Sequence, residues 1–369
     1  MNAAPEFFIP SASGLAPLPE PFRLHGGGEL RGAVVAYESW GQLDAARSNA
    51  ILLFTGLSPS AHAASSRQNL RPGWWELMIG PGCALDTSKF FVVCVNSLGS
   101  CFGSTGPTSL DPATGKPYGV RFPAIAIEDI ARGGHAVLEH LGIERAHAVG
   151  GPSLGGSTVL AYVALFPKAA RHLLSISGTD AASAHAIALR SIQRDAVRSD
   201  PAWRGGDYPT AAPPRSGLAL ARKIGTVTYR SADELQRRFG RQPSTTGREF
   251  AVQDYLEQQA EKFVDAFDAN SYLRLSEALD RFDLAAHGEP VAIFRRSGLE
   301  SALVIGVERD QLFSIEEQSR VAAALRAAGV PTTFARLDSL AGHDAFLVDF
   351  STFDNLIRPW LAGDKHHAS

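Results

Sequence analysis

Cysteine is scarce in this chain of 369 residues, with three in all, Cys83, Cys94 and Cys101. So few, odd in number and without metal-ligand spacing, they exclude a disulfide framework and point to a reducing, cytoplasmic setting. Cys94 lies in the apolar run FFVVCV and reads as a small core residue, while Cys101, in a loop rich in glycine and serine, leaves a reactive thiol open. Excess charge of one sign is also missing. The net charge is -3, from 35 basic and 38 acidic residues, so no field for nucleic acid is expected. No stretch approaches the ~18 apolar residues that a membrane span needs. The opening MNAAPEFFIPSASGLAPLPEPF has neither a basic head nor a long apolar run, and so does not read as a signal peptide. Its prolines suggest an extended arm over residues 1–30. There is no internal repeat, and no metal site or permanently bound cofactor is expected.

What the chain does contain is 45% hydrophobic and 20% charged residues, the balance of a globular enzyme. Strand-like runs at 33–41, 49–56, 90–97, 146–151 and 172–178 are followed by a stretch in which strand signals fade. Between the third and fourth of these runs, Ile127, Ile130, Ala131, Val137, Leu138 and Leu141 recur at helical spacing and predict a helix near 124–141. Residues 180–295 are richer in Arg, Asp and Gln, and predict amphipathic helices, for example around HAIALRSIQRDAV. Strand and helix alternation resumes at 301–310, with a helix near 315–328, a strand at 332–339 and a last helix to about 361. Such alternation implies a mostly parallel, doubly wound sheet. The expected organisation is a core in two parts, 31–179 and 296–362, a helical cap inserted at 180–295, and a polar, disordered tail over 363–369.

Chemistry concentrates at Gly151-Pro152-Ser153-Leu154-Gly155. The pattern Gly-x-Ser-x-Gly arises by chance in glycine-rich chains, but here an apolar strand precedes it and an apolar helix follows. That is the setting of a serine held at the apex of a sharp strand-to-helix turn. A serine hydroxyl needs a base and an orienting acid to act as a nucleophile. Asp310 ends the strand VIGVERD, and His343 lies in the loop after the next strand, so both reach the rim that carries Ser153. Asp310 also reads as a helix cap and His343 as an ordinary loop histidine. Asp268 and Asp283 are rival acids, and His185 and His287 rival bases, but all four fall in the cap segment. Two backbone donors are needed to hold a developing oxyanion. The amide of Leu154 and that of Leu57, in the loop after NAILLFTG, are the candidates.

The strings VAYESWGQLDAARSNAILLFTGLSPSAH, GSTGPTSLDPATGKPYG, LARKIGTVTYRS, VIGVERDQLF and GHDAFLVDF together resemble the homoserine O-acyltransferases of the α/β-hydrolase superfamily. The likeness runs from about residue 34 to 350. It implies the α/β-hydrolase fold and an acyl group moved from coenzyme A to an amino-acid hydroxyl through an acyl-serine, in a ping-pong order. It also implies a homodimer. By the resemblance Ser153, Asp310 and His343 form the triad, Arg222 pairs with the acceptor's α-carboxylate with Tyr229 nearby, and Asp344 holds its α-ammonium. The elbow departs from the family in carrying Pro152 and Leu154, and the loop reads GLSPSAH. With NSLGSCFGSTGP, that loop resembles the serine O-succinyltransferase branch, with succinyl-CoA as co-substrate, L-serine as acceptor and cysteine synthesis as the destination. Arg190 stands where homoserine acetyltransferases tend to have asparagine. It meets a succinyl carboxylate or merely faces solvent, and the sequence leaves both open. The alternatives are homoserine O-acetyl- or O-succinyltransfer toward methionine, and plain ester hydrolysis by the same triad.

Overall fold

The computed structural model describes residues 11–363. Residues 1–10 and 364–369, and with them part of the expected arm and most of the expected tail, lie outside the described residues.

Eight strands form one sheet: β1 (Ser11–Pro17), β2 (Val34–Trp40), β3 (Ala50–Phe54), β4 (Phe91–Val95), β5 (Ala146–Pro152), β6 (Ala170–Ile176), β7 (Ser301–Val307) and β8 (Thr332–Leu337). Their spatial order is β1-β2-β4-β3-β5-β6-β7-β8. The first two strands run antiparallel to their neighbours, and all other pairings are parallel. Leu53 sits opposite both Cys94 and Gly150, which places β3 between β4 and β5.

The neighbouring strands β3 and β4 are apolar throughout because helices cover both faces. Strand periodicity divides their side chains between two cores. Leu52, Phe54, Val93 and Val95 enter one, together with Ile130, Val137 and Leu160 of the helices α1 (Ile127–His140) and α2 (Leu154–Leu165). Ile51, Leu53, Val92 and Cys94 enter the other, with Trp75, Phe353 and Ile357. Cys94 is fully buried, as its setting in an apolar run predicts.

The segment Ser11–Pro17 is an edge strand, paired with β2 alone among the described residues. Its sequence, SASGLAP, carries little strand signal, and an edge is where proline and glycine are tolerated. Between β6 and β7 the chain runs through α3 (Ala184–Ser199), α4 (Arg215–Tyr229), α5 (Ala232–Phe239), α6 (Ala251–Ala266), α7 (Ala269–Arg281) and α8 (Pro290–Arg296). Two further helices, α9 (Ile315–Ala327) and α10 (Phe350–Leu361), follow β7 and β8. The C-terminal ends of β3, β5, β7 and β8 open toward the inserted helices, which is the edge at which such sheets bind ligands. Among the described residues no helix is long and apolar enough to cross a membrane.

Candidate active site

Ser153 sits between β5 and α2 with φ 56° and ψ -118°, a strained conformation for a residue with a side chain. The turn is possible because its flanks are bare. A Cβ at Gly151 would lie 2.7 Å from the carbonyl carbon of Gly155. Pro152 removes a backbone donor, but the ladder between β5 and β3 already ends at Gly150, and Ser153 itself donates to the Ile176 carbonyl at 2.9 Å. The substitution therefore costs the sheet no hydrogen bond. The hydroxyl stands at the N-terminus of α2, whose first-turn amides have no acceptor within the helix.

His343 reaches this hydroxyl from the opposite side. Its Nε2 lies 2.8 Å from Ser153 Oγ, and its Nδ1 lies 2.7 Å from Asp310 Oδ2. Asp310 is held in turn by the amides of Leu312 and Phe313, each donating to Oδ1 at 2.9 Å. Asp310 is thus not the cap of α9, a place taken by Ser314: one of its carboxylate oxygens braces the loop before that helix, and the other faces the imidazole. Ser314 and Glu317 then close a reciprocal capping box on α9. Burial pulls His343 toward its neutral form, but the charge of Asp310 and its hydrogen bond outweigh burial, so the pKa is raised above the ordinary value. His343 is the second residue of a short 3-10 helix, Gly342–Leu347, pinned by the Trp75 indole donating to the Phe346 carbonyl at 2.9 Å. Gly342 has φ +61°, and a Cβ there would lie 3.0 Å from the Tyr229 carbonyl oxygen.

Ser153 and His343 line a cleft between the sheet edge and the inserted helices. Leu57 lines it too, on the loop after β3, and a Cβ at Gly56 would lie 3.9 Å from that of Ser153. Arg222, Tyr229, Asp344 and Arg190 complete the predicted set in the same cleft. Arg222 donates from Nη1 to Ser58 Oγ at 3.3 Å, and its buried Nε has no partner. Its guanidinium lies 4.8 Å from the Phe263 ring centre and 5.6 Å from that of Tyr229. Burial raises the pKa of Asp344, while Arg230, His343 and Arg222 oppose that shift. Burial likewise holds the Tyr229 hydroxyl above its ordinary value, against the pull of Arg222.

Arg190 does not face solvent. It is 3% exposed, bound through Nε to Asp280 Oδ1 at 2.5 Å, and its Nη1 and Nη2 are buried without a partner. The four rivals are elsewhere. Asp268 caps α7 and accepts from the Tyr208 hydroxyl at 2.5 Å. Asp283 accepts from the Ala285 amide at 2.9 Å, His287 pairs with Glu128 at 2.8 Å, and His185 is exposed. Burial pushes the pKa of the half-buried Cys101 thiol up to about 11, which disfavours the thiolate a reactive cysteine needs.

Sequence reasoning missed Arg230, whose Nε lies 3.2 Å from Asp344 Oδ2. It also missed Gln193, Tyr272 and Ser276 in the lining. Only Gln193 left a trace in sequence, three residues after Arg190 and so on the same helical face. No metal-binding group is formed by these site residues. Among the described residues one possible group lies away from the cleft, at His25, Glu128 and His287, with ligand atoms within 4.8 Å of one another.

Known proteins share this architecture. The α/β-hydrolase fold family matches residues 49–350. A serine O-succinyltransferase of Litchfieldella anticariensis is 49% identical over 364 residues, covering 96% of this chain and 99% of its own. One from Stenotrophomonas maltophilia is 51% identical, covering 96% and 98%. Among solved structures, a homoserine O-acetyltransferase from Bacillus anthracis superposes with a TM-score of 0.87 at 24% identity, over 96% of this chain and 97% of that one. Esterase E22 superposes at 0.86 with 26% identity, over 96% and 100%. With the family matched over most of its length and relatives of about half identity end to end, this chain belongs to the α/β-hydrolase fold family.

Proposed function

We propose that this chain is a serine O-acyltransferase that carries a succinyl group from succinyl-CoA to the hydroxyl of L-serine by way of an acyl-Ser153 intermediate. The observation that carries this reading is the lining of the cleft: beside a hydroxyl already bonded to an imidazole stand two arginines and an aspartate. An amino-acid zwitterion needs a cation for its carboxylate and an anion for its ammonium, which Arg222 and Asp344 supply. Tyr229 packs beside both. The second arginine, Arg190, offers two unpartnered nitrogens to a further carboxylate, such as the free end of a succinyl group. The names of the curated relatives support serine as acceptor and succinyl as acyl group.

In this mechanism His343 Nε2 takes the proton of Ser153 as its oxygen attacks the thioester carbonyl. The amides of Leu154 and Leu57 receive the oxyanion. As the carbon–sulfur bond breaks, the imidazolium returns the proton to the departing thiol. The serine hydroxyl then gives its proton to His343 and attacks the acyl-Ser153 ester, and collapse releases O-succinylserine and the free Ser153 hydroxyl. Asp310 keeps the imidazole oriented and stabilises its charged form. Acyl-CoA enters as a co-substrate, and each of these steps is assigned to groups of this chain. The product is an activated serine ester, suited to replacement of its oxygen by sulfur on the way to cysteine.

The test is a matrix of acetyl-, propionyl- and succinyl-CoA against serine and homoserine, read as kcat/KM for thiol release. Succinyl-CoA with serine should lead. Homoserine is one methylene longer, a difference of only ~1–3 kcal/mol in a pocket, so measurable leakage to it is expected. A preference for acetyl-CoA with homoserine would overturn the proposal. Ester hydrolysis is the second reading, favoured by the fold shared with esterase E22. An esterase has no use for a zwitterion clamp, so hydrolysis of a simple acetyl ester should run well below acyl transfer.

A further inference from the structure

Arg190 does not stand alone. One turn further along α3, Arg194 points at the same carboxylate: Arg194 Nη2 lies 2.6 Å from Asp280 Oδ2, while Arg190 Nε lies 2.5 Å from Oδ1. Arg194 also donates from Nη1 to Ser276 Oγ at 2.9 Å. Asp280 and Ser276 are four residues apart on α7, so one face of each helix meets the other. All three charged side chains are largely buried, at 4%, 11% and 12% exposure for Arg190, Arg194 and Asp280. Two guanidiniums share one carboxylate, which leaves one positive charge without a counter-ion. That surplus is presented at Arg190, whose Nη1 and Nη2 have no partner and whose side chain lines the cleft, whereas Arg194 and Asp280 lie behind it.

We infer that Asp280 and Arg194 are positioning residues that set the acyl-donor specificity of this site, selecting donors whose acyl chain ends in a single carboxylate. This rests on the reading of Arg190 as the partner of that carboxylate. Asp280 pins the Nε edge of Arg190, which turns the Nη1–Nη2 edge to the cleft as a fork for a planar anion. Arg194 holds the other carboxylate oxygen by charge, at 2.6 Å but without hydrogen-bond alignment. Without it, Asp280 would be free to neutralise Arg190 and the surplus charge would vanish.

The two substitutions change the local charge in opposite directions, yet both should weaken recognition. Asp280→Asn adds positive charge, so a site working by charge alone would bind a carboxylate-bearing donor better. An amide can accept from one guanidinium but meets the other with its own N–H groups, so Arg190 loses its fixed edge. Arg194→Gln removes a charge from a residue that does not line the cleft. The experiment measures kcat/KM for thiol release with succinyl-CoA and acetyl-CoA in wild type, Arg190→Ala, Asp280→Asn, Asp280→Glu and Arg194→Gln, with thermal melts as the fold check. Both Asp280→Asn and Arg194→Gln should lower the succinyl-to-acetyl ratio by roughly tenfold or more, through KM for the succinyl donor. Asp280→Glu should recover part of the ratio. Equal losses on both donors, or an unchanged or improved ratio in Asp280→Asn, overturn the inference. Should Asp280→Asn fail to fold, Arg194→Gln decides alone. If wild type shows no succinyl preference, the donor reading itself falls. If wild type prefers succinyl-CoA and Arg190→Ala abolishes that preference while the other variants keep it, only the positioning inference falls.

Discussion

At the scale of single residues, the proposed chemistry rests on three side chains brought within hydrogen-bond reach across 190 positions of sequence. Ser153 should accumulate an acyl adduct when succinyl-CoA is supplied without acceptor, visible as a mass increase on its peptide. Ser153→Ala should lose activity by roughly 10³-fold or more. An adduct on Cys101 instead would refute the assignment, and the raised pKa of that half-buried thiol argues against one. His343 works as a base only when neutral, so kcat/KM should rise with pH through its apparent pKa. That midpoint lies above the ordinary histidine value because Asp310 outweighs burial. Asp310→Asn removes the charge and leaves burial, which favours the neutral ring. Its residual activity should therefore titrate at lower pH than wild type, and a midpoint that stays put would show that Asp310 does not set it.

At the scale of elements, the proposed acceptor clamp is divided between α4, which carries Arg222 and Tyr229, and the 3-10 helix that carries His343 and Asp344. Arg222→Ala or Asp344→Ala leaves a buried partner unmatched, a loss of about 2–5 kcal/mol. Transfer to serine should collapse while single-turnover thiol release from succinyl-CoA changes far less. Thiol release that falls in step with transfer would rule out a clamp. The junction of the two elements is tight at Gly342, where left-handed backbone meets the carbonyls of Tyr229 and Arg309. Gly342→Ala should cost about 1–2 kcal/mol for the backbone conformation alone. It should also lower kcat, because the base is the next residue. Urea unfolding and steady-state rates check the two effects, and a variant as stable and active as wild type would contradict this account. The element signals themselves were legible in sequence to differing degrees. β3 and β4 announced themselves as unbroken apolar runs, and α1 by its spacing. β1 did not, since an edge strand buries little and SASGLAP has almost no pattern to read.

At the scale of the whole molecule, the inserted helices supply Arg190, Gln193, Arg222, Tyr229, Tyr272 and Ser276 to a cleft whose reacting groups belong to the sheet edge. The same helices expose Ile192, Leu220 and Val227, at 55%, 50% and 43%. We propose that the homodimer implied by the family resemblance forms through this region of α3 and α4. Light scattering should then give twice the chain mass, and Ile192→Glu with Leu220→Glu should shift it toward the monomer; a monomeric wild type would dismiss the idea. The sequence by itself determined the alternating sheet and the order serine, acid, histidine, because strand runs and tight turns are written in local composition. The likeness to a known family added Arg222, Asp344 and Arg190. Only the tertiary structure decided what those charges meet. Arg230 beside Asp344, and Asp280 between Arg190 and Arg194, are contacts of 114 and of 90 and 86 positions in sequence separation. They exist because α3 packs on α7 and α4 ends against the His343 turn. Helical spacing says which face a residue occupies, but not which face of another helix will be set against it.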